Sequence, residues 1–162
     1  GSQLYPKMQT GGKIWNTLPD DLKATGIIKP VRKLTNNVKG DAAASTEPTE
    51  TFDYLWLPSY KEVVGTTSAL SSDTNHWINK EGSQYEFFAN KGINGGGTYT
   101  ILAGMDKTQN ESGPSGADDT RWWERSCGPG DPNYFVYCDT SGDPSGARRA
   151  GISYGVVLGF SL

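Results

Sequence analysis

The stretch that most limits how this chain can fold is its C-terminal end, RWWERSCGPGDPNYFVYCDTSGDPSGARRAGISYGVVLGFSL. Three runs within it, RWWERSC, YFVYCD and YGVVLGF, have the aromatic and β-branched character of strands. Gly, Pro, Asp and Ser, the residues that turns require, separate them. The pattern predicts a small antiparallel sheet in which apolar ends act as clamps. Between the clamps lies a polar, turn-forming insert, Gly128–Tyr154. Adjacent side chains on a strand point to opposite faces. Of Trp122 and Trp123, one therefore enters the core, and two readings stand for the other: the floor of a binding surface, or a second structural residue. Arg125 is expected to be scaffold, paired with a carboxylate beneath that surface.

Upstream signals are shorter. Residues 1–16 are polar with scattered aromatics, which predicts a loose arm (1–13) or an edge strand. NTLPDDLKATGI carries a helix start, with Pro19 in the first turn and Asp20 and Asp21 where the helix dipole favours acids. IIKPVRKLT reads as extended, with Pro30 placing it at an edge. TNNVKGDAAASTEPTET is poor in apolar residues and predicts an exposed loop. FDYLWLP reads as a buried strand. Ser59 and Glu62 have capping-box spacing, so SYKEVVG predicts a short helix closed by Gly65. Tyr85, Phe87 and Phe88 are expected to pack inward, and TYTILAG alternates like a strand. The sum is an α+β domain with short helices, small antiparallel sheets and a high loop content. Trp56, Tyr85, Phe88, Trp122 and Phe160 are its expected aromatic core.

Composition bounds the function. At 162 residues the chain suits a single domain. Only 35% of it is hydrophobic, but 5 Trp, 8 Tyr and 5 Phe supply large buried surfaces and argue against disorder. The net charge of −3, without a basic stripe, makes nucleic acid a poor partner. No apolar stretch approaches the roughly 20 residues of a membrane helix, so membrane insertion is not expected.

The candidate chemistry is sparse. Cys127 and Cys138 leave two readings open: buried thiols, or a disulfide between neighbouring strands. Asp131–Asn133, with Asp118 and Asp119 upstream, is short of the oxygen ligands a Ca²⁺ site needs, so a turn is the expected reading. His76 has no nucleophile block to serve. Glu81, Glu86 and Glu111 have no spacing that pairs any two for glycoside hydrolysis. NGGG at Asn94–Gly97 lacks the Lys-Ser/Thr of a phosphate loop. No catalytic residue, metal site or cofactor is therefore expected.

The insert is the stronger candidate. Its Tyr, Ser, Gly and Asn content is that of antibody paratopes, in which Tyr gives rigid contact area and the small polar residues give adaptable hydrogen bonds. Arg adds carboxylate recognition and stacking. The candidate ligand-binding residues are Trp123, Asp131, Asn133, Tyr134, Tyr137, Asp139, Ser141, Asp143, Ser145, Arg148, Arg149 and Tyr154. The competing reading is an ordinary exposed hairpin, whose turns need Gly, Asp and Pro in any case.

Four blocks in order also carry a resemblance. LWLPSYKEVVG resembles the Leu-Pro-Thr-x-x-Glu-Trp helix start of the formylglycine-generating branch of the C-type-lectin-like fold. RWWERS and GVVLGFSL occupy the places of that branch's later Trp/Arg strand and its terminal Gly-Phe-Arg strand. With GSQYEFF between them, the blocks also resemble a family of uncharacterised bacterial and phage domains. Those carry a Trp-Trp-x-Arg-Ser block and end in Gly-Val-x-x-Gly-Phe. The likeness spans residues 14–162, and this chain departs from the formylglycine pattern by ending Gly-Phe-Ser. The resemblance implies a C-type-lectin-like fold. It also implies a non-enzymatic role like that of variable proteins of diversity-generating retroelements, phage receptor-binding proteins or adhesins. The partner would be a protein or glycan on a cell or host surface, and the location a virion or a cell surface. A copper oxidase of the formylglycine-generating type, using Cys127 and Cys138, and a structural virion or pilus module are the alternatives.

Overall fold

The structure is a computed structural model. It describes residues 4–38, 45–67, 78–103, 105, 121–128, 133–152 and 154–162, with backbone alone at 36–38 and 45–47. In chain order its elements are α1 (Leu4–Met8), a 3₁₀ turn (Trp15–Thr17), α2 (Asp20–Lys23), β1 (Val31–Val38), β2 (Ser45–Asp53) and α3 (Tyr60–Val64). A second 3₁₀ turn (Ile78–Lys80), α4 (Glu86–Asn90), α5 (Thr100–Ala103), β3 (Trp122–Cys127), β4 (Tyr134–Cys138), β5 (Gly146–Arg149) and β6 (Gly155–Val156) follow. The fold is mixed α+β, with a two-stranded sheet β1-β2 and a four-stranded sheet ordered β5-β4-β3-β6.

Helix α3 forms where capping chemistry predicts it. Ser59 Oγ accepts from the Glu62 N–H at 3.1 Å, and Glu62 Oε2 accepts from the Ser59 N–H at 3.0 Å. Gly65, at φ 79°, closes the helix in the left-handed conformation. Val63 and Val64 then face the main core with Ile78, Phe88, Leu102, Trp122 and Val136.

The three C-terminal runs supply the larger sheet. β4 is antiparallel to β3 and β5, whereas β6 lies parallel to β3 on its other edge, where an antiparallel strand was expected. Trp122 is fully buried in the main core, its Nε1 donating to the Leu102 carbonyl at 3.0 Å. Trp123 takes the opposite face and packs on a second core of Met8, Trp15, Ile28, Leu55 and Leu57. The β3-β4 register puts Cys127 opposite Phe135 and Cys138 opposite Trp122. The two buried thiols thus sit roughly 10 Å apart along the ladder, beyond the ~4.4–6.8 Å Cα spacing of a disulfide.

Several expectations need correction. Residues 4–16 form neither a loose arm nor an edge strand. Leu4–Met8 is helical, and Met8 and Trp15 are buried in the second core. Much of the expected loop at 35–51 belongs to the hairpin of β1 and β2. Its polar composition hid it, because a two-stranded ribbon of polar residues carries no apolar alternation. TYTILAG forms α5, where Tyr99 and Leu102, three residues apart, share the inward face. In FDYLWLP the strand ends at Asp53. Leu55, Trp56 and Leu57 are buried beyond it, with a single bridge from Trp56 to Gly159. Because 86–90 is helical, Phe88 faces inward while Phe87 stands half exposed. Phe160, expected in the core, is exposed beyond that bridge.

Candidate functional site

The register of the larger sheet assembles an aromatic cluster from distant parts of the chain. Tyr137 of β4 lies directly opposite Trp123 of β3, so both side chains share one face. β5 and β6 occupy opposite edges of the sheet. The chain therefore passes from one edge to the other between them, and Tyr154, just before β6, ends against the same two rings. The ring centroids are 6.1 Å apart for Trp123–Tyr137, 4.7 Å for Trp123–Tyr154 and 5.0 Å for Tyr137–Tyr154. All three side chains are half-buried.

Two guanidinium groups edge this cluster. Arg148 is exposed and, two residues on from Gly146, shares the face of Tyr137. Its nearness to Tyr137, Tyr154 and Tyr134 raises its pKa above the ordinary guanidinium value. Arg121 stands 5.6 Å from the Tyr154 ring centroid. Gly146 lies opposite Tyr137, and a Cβ there would meet the Tyr137 ring at 2.5 Å, so the ring lies over bare β5 backbone.

The remaining predicted residues fall elsewhere. Tyr134 and Arg149 pair across β4 and β5, with the Arg149 guanidinium 5.8 Å over the Tyr134 ring. Strand alternation puts Tyr134 on the side of buried Val136, away from Tyr137. Asp139 and Asp143 build the β4-β5 turn. Asp139 Oδ1 accepts from the Ser141 N–H, the Ser141 hydroxyl and the Asp143 N–H at 2.8, 2.7 and 3.0 Å. Partial burial pushes the Asp139 carboxyl up, but these bonds, with the Arg121 charge, outweigh it and hold its pKa below the usual range. Asp143 Oδ1 accepts from the Ser145 N–H and hydroxyl at 2.9 and 2.5 Å. Gly142, at φ 85°, brings this turn against the Tyr99 backbone, where any Cβ would collide with the carbonyl. Asn133 is exposed in the turn before β4. Asp131 lies outside the described residues, as do His76, Asp118, Asp119 and Glu111. The insert is therefore partly interior: Val136, Cys138, Gly142 and Pro144 are buried, while Tyr137, Arg148 and Tyr154 reach solvent.

Beneath the sheet runs a polar network centred on Glu62. Arg125 Nη1 donates to Glu62 Oε2 at 2.6 Å and Lys33 Nζ to Glu62 Oε1 at 2.8 Å, all three side chains being buried. Burial pushes the Glu62 carboxyl up, but Arg125 and Lys33 prevail and keep its pKa below the ordinary value. Arg125 also donates to the carbonyls of Leu34, Leu57 and Glu81. Lys33 Nζ donates to the Tyr85 hydroxyl at 2.7 Å and sits 4.0 Å from the Trp56 ring centroid. Ser126 Oγ donates to Glu81 Oε2. A polar cleft of about 110 Å³ opens over Arg32, Lys33, Glu62, Lys80 and Glu81. Arg125 is the scaffold residue expected of it.

Sequence reasoning missed Lys33, Glu124 and Arg121, and weighed Glu81 only as one of a carboxylate pair. Glu124 points into the core beside Trp122 with neither carboxylate oxygen hydrogen-bonded. Burial, then the neighbouring Glu81 charge, push its pKa well above the ordinary value. The Ser59-x-x-Glu62 spacing and the expected pairing of Arg125 with a carboxylate marked parts of this interior chemistry. Among the described residues, no group of three or more His, Cys, Asp or Glu is disposed to hold a metal ion. No helix among them is long and apolar enough to cross a membrane.

The family described as "Domain of unknown function (DUF6273)" matches residues 11–162, and the chain belongs to it. No curated protein and no solved structure matches the chain.

Proposed function

We propose that this member of the DUF6273 family is a non-enzymatic ligand-binding domain with a C-type-lectin-like fold, acting on a virion or cell surface. It presents the Trp123–Tyr137–Tyr154 cluster and Arg148 to a protein or glycan on another cell. The observation that carries this reading is the cluster itself. Three half-buried rings stand in mutual contact on one sheet face, with a fully exposed guanidinium at their edge. Rigid aromatic area beside a planar cation is what recognition surfaces use. The turn of Asp139–Ser145 supports the face from one end, since its carboxylates are committed to backbone and hydroxyl donors. A copper-oxidase reading draws no support from the thiols, because Cys127 and Cys138 pair with different strand partners and do not converge.

The test is binding of fluorescently labelled protein to a panel of bacterial and host cells. The wild-type chain is expected to stain some of them. Tyr137→Ala and Arg148→Ala should reduce that staining by about tenfold while the melting temperature holds. Staining unchanged in both variants, or no staining by the wild type, overturns the proposal.

A further inference from the structure

The chemistry of the aromatic face points to the kind of ligand it takes, an inference that rests on the proposed binding role. We propose that the face holds the terminal residue of an acidic glycan, a pyranose carrying a carboxylate, with its apolar C–H side on the rings and its carboxylate on Arg148. Two observations support this choice. The first is size. The centroids of Trp123, Tyr137 and Tyr154 are 4.7 to 6.1 Å apart, so the platform matches one sugar ring. A stable protein partner covers about 800 Å² on each side, far more than three half-buried rings and one guanidinium offer.

The second is charge. Strand register puts Arg148 on the same face as Tyr137, and no ion pair joins it to a carboxylate among the described residues. A guanidinium carries five N–H donors in a planar fork that matches a carboxylate bidentately. That fork stands available beside the rings. A neutral sugar would use the rings and leave Arg148 idle. An acidic one uses both, and its binding weakens as salt rises.

The experiment is a glycan array bearing glucuronate-terminated, sialate-terminated and neutral chains, followed by calorimetry with the best binder and its carboxyl-reduced alcohol. Expected are binding to at least one acidic class, a loss of about tenfold on reducing the carboxylate, and a similar loss in Arg148→Gln. Arg148→Lys should recover only part, because it keeps the charge without the fork. The array identifies which acidic sugar is the source. Equal binding of neutral and acidic chains, no binding of acidic chains, or wild-type affinity in Arg148→Gln overturns the inference. Cell staining that survives removal of surface glycans yet still depends on Tyr137 also overturns it, and leaves the broader binding role standing. Staining indifferent to Tyr137→Ala and Arg148→Ala removes that broader role instead.

Discussion

Arg125 and Arg148 show how the same side chain serves opposite ends in one small domain. Arg125 is buried and gives its donors to the Glu62 carboxylate and to the carbonyls of Leu34, Leu57 and Glu81. Arg148 is exposed on the face of Tyr137, whose ring touches those of Trp123 and Tyr154. In the interior, Lys33 donates to the same carboxylate and to the Tyr85 hydroxyl, which also accepts from the Trp56 indole. On the outer face, the Asp139 carboxylate is committed to the β4-β5 turn, and no ion pair joins Arg148 to a carboxylate among the described residues. Saturated polar groups hold elements together, and positioned but uncommitted ones are what a ligand can meet.

The comparison breaks most severely at Glu62. Its two oxygens serve Arg125, Lys33 and the Ser59 N–H at once, so removing its charge strands two buried cations. Glu62→Gln should cost about 3–5 kcal/mol, read as a lower denaturant midpoint with an unchanged slope. A loss below about 1 kcal/mol, the range of exposed ion pairs, would mean that the interior network is not the fastening it resembles.

Glu124 sharpens the contrast from within the core, as a buried carboxyl that lacks the partners Glu62 has. Its folded pKa is raised, so the folded chain keeps a proton that the unfolded chain begins to release near the ordinary value of 4.5. The folded state binds more protons above that pH, and this site's contribution to stability falls as pH rises until the folded group ionises. Glu124→Leu should therefore stabilise the protein at neutral pH by about 1–3 kcal/mol, with a smaller gain at pH 4. Glu124→Gln should flatten the fall in stability between those conditions. Denaturant melts across the pH range check both, and a destabilised Leu variant would mean that the carboxyl has a partner.

How much of this could be read beforehand depends on the range of each interaction. Ser59 and Glu62 are three residues apart, and Trp122 and Trp123 are adjacent. Short spacing exposed the first helix cap and the division of the tryptophans between two faces. Lys33 reaches Glu62 across 29 positions and Arg125 reaches it across 63, so nothing local announced the network. Hairpin β1-β2 escaped because its residues are those of an exposed loop. In the insert, composition pointed to the right segment but not to the division within it. Asp139, Ser141, Asp143 and Ser145 are of residue types that both turns and binding surfaces favour, and here they build the turn. Tyr137, Arg148 and Tyr154 meet only because the sheet order returns the chain to β3.

The smallest expected effect on stability falls at Gly146, and it isolates the outer face from the interior. A Cβ on this residue would stand 2.5 Å from Tyr137 Cε1 and 2.6 Å from Cζ. The ring must therefore swing away, taking with it the contacts to Trp123 and Tyr154. Displacing a half-exposed ring costs about 1 kcal/mol, at the low end of overpacking. Alanine in place of glycine restricts the unfolded chain and returns roughly 0.4–1 kcal/mol. Gly146→Ala should leave the melting temperature nearly unchanged, because Glu62, Arg125 and the main core lie elsewhere. Near-ultraviolet circular dichroism, which reports coupled aromatic rings, should change clearly, and staining of cells should drop together with it. A variant with unaltered ring signals would show that Tyr137 does not lie over β5, and the separation between a fastened interior and an open, prearranged face would lose its outer half.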